Sequence, residues 1–248
     1  MLHVRPIEPG LEVHEFEAAQ RPDSAALERV AALWDAEKRR RGDGLFDGQV
    51  FSIARLDESR IEGHFVPYSW FLAQLREPAL HGVLKVRMLA VSGLLEIPEG
   101  IVFGRRSEAM TQDAGLWELV PSGGVSPAAR SQNTMISLHH QLVQELGEEV
   151  GIACDRDEQA KPFVLVEDDE THVTDIGLHL SLDVGSEEVL ARHRTLAEQE
   201  YGQLKIVPRQ DLESFRHRRE GGLAPVSAAL LDHAKALRET SATPLVKP

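Results

Sequence analysis

Glu145, Glu148 and Glu149 are the residues whose type and spacing suggest chemistry. On a helix, steps of three and four bring side chains to one flank, so three carboxylates crowd together there and repel. A cation would remove the repulsion. Carboxylates with open water positions suit Mg²⁺, or Mn²⁺ in its place, with substrate phosphate oxygens filling the remaining sites. A solvated acidic face is the alternative reading, since glutamate is a good helix former and acidic helix ends are common.

The helix that must carry these acids is legible from its apolar residues. Met135, Leu138, Leu142, Leu146 and Val150 recur at the spacing of one buried face. Asn133 or Thr134 can cap its start, and Gly151 stands where a left-handed C-terminal cap is wanted. In front of it lies a glycine-rich loop, PSGGVSPAARSQ, from Pro121 to Gln132.

The order of these residues resembles the box of the Nudix hydrolase superfamily. Its second half matches as Gln144, Glu145, Leu146, Gly147, Glu148, Glu149, Val150, Gly151 and Ile152, with only the family's arginine replaced, by Gln144. The first half fits less well: Gly123 and Gly124 are present, the loop after them is longer, and Ile136 stands where the family has a glutamate. Upstream, IVFGRRSEAMTQDAGLWELVPSGG is similar to the family's strand, arginine and Trp-Glu-aliphatic-Pro-Gly-Gly approach.

The resemblance implies a Nudix-type α/β/α sandwich with a mixed sheet, carrying here a small N-terminal α/β extension. It implies Mg²⁺ held by Glu148, Glu149 and the backbone carbonyl of Gly123, with Glu145 a third ligand or the base that activates water. Arg106 becomes a phosphate contact, with Arg105 as the alternative, and Glu200 a further acid from beyond the box, with Glu198 and the run Glu167 to Glu170 behind it. Members that hydrolyse nucleotide sugars can carry an irregular box behind an N-terminal extension. The expected activity is therefore Mg²⁺-dependent hydrolysis of a diphosphate linkage in a nucleoside diphosphate derivative, a nucleotide sugar being one candidate. A non-catalytic nucleotide sensor that keeps the fold is the alternative, motivated by Ile136 and Gln144.

Composition bounds the rest. The chain has 248 residues, 42% of them hydrophobic, enough for a sizeable core. A formal charge of -13 argues against sequence-independent binding to nucleic acid or an anionic membrane. The single Cys154 excludes an intramolecular disulfide, and the sequence shows no long apolar run, so a cytoplasmic protein is expected. A homodimer is a further expectation.

Along the chain, the sequence divides into a small N-terminal unit, residues 1–80, and a box-bearing unit, residues 81–248. The first is expected to hold two short strands turning at Pro9-Gly10, a helix capped by Asp23 or Ser24, paired strands over Val50 to Leu56 and Ile61 to Tyr68, and a helix capped by Ser69. Its aromatic residues Phe65, Tyr68, Trp70 and Phe71 are expected in the core, stacking on a nucleotide base being the alternative. In the second unit, strands are expected over Val86 to Leu95, Gly100 to Arg105, Leu116 to Val120, Phe163 to Glu167, Val173 to Leu182 and Gln203 to Val207. Helices are expected over Ser186 to Ala197, after Pro208, and over Val226 to Leu237.

Overall fold

The computed structural model describes residues 1–8, 10–17, 22–42, 45–107, 113–131, 134–154, 160–197, 199–217 and 222–242. The expected cap Asn133, the acid Glu198 and the turn residue Pro9 lie outside them.

From the N-terminus run β1 (Leu2–Arg5), β2 (Glu12–Glu15), α1 (Ser24–Arg41), β3 (Gln49–Leu56), β4 (Arg60–Pro67), α2 (Tyr68–Arg76) and the short α3 (His81–Leu84). Then come β5 (Met88–Ile97), β6 (Gly100–Arg106), β7 (Trp117–Leu119), β8 (Ser122–Gly124), β9 (Met135–Ile136) and α4 (Leu138–Glu145). The chain continues through β10 (Lys161–Asp168), β11 (Val173–Ser181), α5 (Ser186–Arg194), β12 (Tyr201–Val207), α6 (Leu212–Arg216) and α7 (Pro225–Ala242).

β5 is the spine of the sheet. Along one side it pairs in parallel with β11, from Met88↔Val173 to Glu96↔Ser181. Along the other it meets three strands in succession: β3 at Met88, β8 from Ala90 to Ser92, and β6 at Glu96 and Ile97. Because side chains alternate across a strand, Leu89, Val91 and Leu95 face one way and Ala90, Ser92 and Leu94 the other. The first set packs with Leu142, Leu146 and Val150 of the box segment, all at 0% exposure. Burying each of these three contributes about 1.5–3 kcal/mol. On the opposite face, Ala90 packs with Phe71 and Leu94 with Leu230 of α7. Helices thus cover both faces of a mixed sheet, the expected α/β/α sandwich.

The two strands expected around Pro9-Gly10 are present and take different partners: β1 joins β10, while β2 lies parallel to β4 and antiparallel to β9. The box helix begins later than its apolar spacing suggests. Met135 and Ile136 form β9, where Ile136 pairs with Val13, and Thr134 adopts a φ of 63°, so neither starts the helix. Ser137 does, its Oγ accepting from the His140 N–H at 3.1 Å. The C-terminal expectation matches: Gly151 has a φ of 78° and its N–H bonds to the Leu146 carbonyl.

Elsewhere Asp23 caps α1, accepting from the Ala26 N–H at 2.8 Å. For α2, Ser69 is not the cap; its own N–H is capped by Asp47 Oδ1 at 2.7 Å. The sheet runs across the expected 80/81 division, since β1 extends β10 and β3 meets β5. Val13, Phe51, Ile53 and Ile61 belong to the same core cluster as the box helix.

Candidate functional site

The box segment ends in a wide i→i+5 turn, Leu146–Val150, which departs from α winding immediately after Glu145. Its glutamates, which a uniform helix would keep on one flank, go to different environments. Glu149 is buried at 4% exposure, whereas Glu148 stays exposed and accepts from Gln144 Nε2 at 2.8 Å. Glu149 Oε2 accepts from the Ser122 N–H at 2.9 Å; Oε1 is buried with no hydrogen-bond partner among the described residues. Burial, with Glu200 and Glu145 nearby, pushes the Glu149 carboxyl well above the usual carboxylate range.

Glu145 lies against β8. A Cβ added to Gly123 would fall 2.3 Å from Glu145 Oε1, so only glycine leaves the space this carboxylate occupies. Burial raises Glu145 to about 7; Gln141 Nε2, donating at 2.6 Å, works against that, and Glu148 and Glu200 add to it. Gln141 is itself buried, and its Oε1 accepts from the Ser126 N–H at 2.8 Å and Ser126 Oγ at 3.1 Å.

Beside these acids a cavity of about 240 Å³ opens on the other face of the sheet. Met88, Ala90 and Ser92 line it from β5, Ser122 and Gly124 from β8, Arg106 and Glu200 from one end, and Tyr68 and Phe71 of α2 from another side. The Arg106 guanidinium is ion-paired with Glu118 and lies 4.0 Å from Glu200. Tyr201, fully buried, donates its hydroxyl to Glu118 at 2.8 Å. Burial raises both Glu118 and Glu200, and Arg106 opposes the shift in each. Asp175 completes this wall, accepting from Ser92 Oγ at 2.8 Å, and burial raises its carboxyl to about 6.

Of the residues singled out from sequence, the structure gathers Gly123, Glu145, Glu149, Glu200 and Arg106 around β8. It leaves Glu148 on the exposed flank, and it turns Arg105 outward, where its Nε donates to the Gly115 carbonyl at 3.2 Å. Of the acidic run, Glu167 is committed to Arg5 and Arg87, at 2.8 and 2.9 Å, while Asp168 lines the cavity. Asp175, Tyr201 and Gln141 were not anticipated. Glu118 stood in the Trp-Glu-aliphatic-Pro-Gly-Gly pattern but was given no role in the site.

As placed, no group of three His, Cys, Asp or Glu side chains among the described residues converges closely enough to hold an ion. The donor chemistry nonetheless fits a hard divalent cation: a buried oxygen on Glu149 with no hydrogen-bond partner among the described residues, a glycine cradle at Gly123, and carboxyls raised by burial and by one another.

No protein-family model matches the sequence, and no curated protein does. Among solved structures, the chain is similar to a MutT protein from Methanosarcina mazei, at 20% identity and a TM-score of 0.43, over 61% of this chain and 95% of that one. It is similar to the NUDIX domain of Shewanella oneidensis NrtR, captured with ADP ribose, at 14% identity and 0.45, over 62% and 89%. For DR0079 from Deinococcus radiodurans the values are 11% and 0.49, over 74% and 98%. Two of these carry the MutT or Nudix name, the family whose box the sequence resembles.

Proposed function

We propose that the chain is a divalent-metal-dependent hydrolase of the diphosphate linkage in a nucleoside diphosphate derivative, with a nucleotide sugar as one candidate. The observation that carries the reading is the proximity of Glu145 and Glu200 to the buried Glu149, whose Oε1 has no hydrogen-bond partner among the described residues, next to a cavity lined by Arg106. Glu149, Glu145 and the Gly123 carbonyl would hold Mg²⁺ or Mn²⁺, with Glu148 and Glu200 at the periphery. Such an ion neutralises phosphate oxygens and lowers the pKa of a bound water.

The chain's own residues do the rest. Glu200, or Glu145 where it does not itself bind the ion, would accept a proton from an attacking water. Arg106, ion-paired with Glu118 and 4.0 Å from Glu200, lines the cavity where its guanidinium would face a bridging diphosphate. Ser122, Glu118 and Tyr201 hold that end of the cavity rigid. Tyr68 and Phe71, whose ring centroids lie 5.9 Å apart, present an apolar wall suited to a nucleobase. A cavity of about 240 Å³ falls below the 300–1,000 Å³ usual for enclosing a whole ligand, so one end of the substrate would sit in it and the other remain outside.

The second reading, a nucleotide-binding sensor, is favoured by one observation: Arg106 is already neutralised by Glu118. Nucleotide sugars, dinucleotides and nucleoside triphosphates, each incubated with Mg²⁺ or Mn²⁺ and assayed for released phosphate ester, separate the two. Turnover of a diphosphate ester is expected. Tight binding without turnover of any compound would establish the sensor instead.

A further inference from the structure

The box of this chain lacks the arginine and the first glutamate that its pattern calls for, and the residue just before Glu145, Gln144, turns its amide to Glu148. Something else must hold Glu145 over Gly123. Gln141, one turn earlier on α4, is buried at 1% exposure and donates to Glu145 Oε1 at 2.6 Å. Its amide has one workable orientation. Oε1 accepts from both the Ser126 N–H and Ser126 Oγ, so a flip would set the NH₂ group against a backbone donor and the carbonyl against a carboxylate.

We infer that Gln141 is a positioning residue that fixes Glu145 for metal binding, in place of the missing arginine. The inference rests on the reading of Glu145 as part of a metal site. The longer loop before the helix gains a purpose from it: Ser126, in that loop, locks the amide that locks the acid. An amide also orients Glu145 without bringing a positive charge beside it. A guanidinium in the same place would be a rival counter-ion.

The test is Mn²⁺ binding to the full chain without substrate, followed by electron paramagnetic resonance, for the parent, Gln141→Leu, Gln141→Met, Glu145→Gln and the double variant Gln141→Met/Glu145→Gln. Both Gln141 variants fill the space of the amide without bringing a donor or a new charge to Glu145. They should bind Mn²⁺ about 10- to 100-fold more weakly, the usual cost of removing a partner that orients a metal ligand. They should also lose kcat with KM for the nucleotide nearly unchanged. In the Glu145→Gln background, Gln141→Met should cost little more, because its effect passes through Glu145, whereas an effect carried by the loop contact alone would persist. Parent-like Mn²⁺ affinity in a folded Gln141 variant, or fully additive losses in the double variant, would overturn the inference while leaving the metal reading intact. A parent that binds no Mn²⁺ would overturn both. Thermal melts of each variant identify any that fails to fold, and the other Gln141 variant then decides.

Discussion

Asp175→Asn is expected to stabilise the protein at neutral and alkaline pH and to do little in acid. Asp175 is buried on β11, and removal from water holds its carboxyl at about 6 against an ordinary 3.8, even though Ser92 Oγ donates to it. The folded state therefore keeps the proton over a pH range where the unfolded chain has released it. Below about pH 4 both states are protonated and the site is neutral for stability; from there to about pH 6 the folded state falls behind, and above 6 the full penalty stands. A displacement of about two pH units corresponds to roughly 3 kcal/mol. Asparagine keeps the acceptor that Ser92 needs and cannot ionise, but it leaves part of its NH₂ group without a partner, at about 1 kcal/mol. The net gain should be about 2 kcal/mol above pH 7, or about 4–8 °C in Tm for a chain of this size. Urea unfolding at pH 8 and pH 4.5, parent against variant, measures it. The variant should be more stable at pH 8, with most of the difference gone at pH 4.5. Equal differences at the two pH values, or a loss at pH 8, would refute the reasoning.

Glu149→Gln should lower turnover by orders of magnitude yet raise the melting temperature at neutral pH, since it removes a buried acid held well above its ordinary pKa; a parallel fall in both would argue for a structural role alone. Gly123→Ala must displace Glu145, the far end of a flexible side chain, so kcat should fall at least tenfold with a Tm change of only a few degrees, read by kinetics and calorimetry. The pair Ile136→Glu and Gln144→Arg, which restores the family's residues, should destabilise rather than activate. Ile136 is 4% exposed between Val13 and the box helix, and a buried unpaired carboxylate there costs about 1–3 kcal/mol or more; a melt equal to the parent's would contradict this. Leu142→Ala should cost roughly 2–5 kcal/mol in denaturant unfolding, because the leucine fills the space over Gly93.

What the sequence disclosed about the site depended on range. The apolar spacing from Leu138 to Val150 marks a helix because it repeats locally, and Gly151 marks its end for the same reason. The same spacing extended to Met135 misplaced the start, since what makes Met135 and Ile136 a strand is β2, more than a hundred residues earlier. Glu145 and Glu149 were legible as a cluster on one helix. That Glu149 is buried while Glu148 stays exposed was not, because it depends on which side of that flank packs against Ser122 of β8. Glu118, Asp175 and Gln141 are single polar residues whose meaning lies in their partners Arg106, Ser92 and Ser126, and only the tertiary fold brings those partners to them.

The wide turn after Glu145 makes the site sensitive to chain length. Adding or removing a residue directly after Glu145 would rotate everything beyond the change about the helix axis, by about 100° per residue. A different side chain would then point at Ser122. Glu149 would exchange its place with a neighbour, while Leu146 and Val150 would leave the core together. One residue inserted between Glu145 and Leu146 should therefore cost the site and the stability of the fold at once, read by Mn²⁺ binding and a thermal melt.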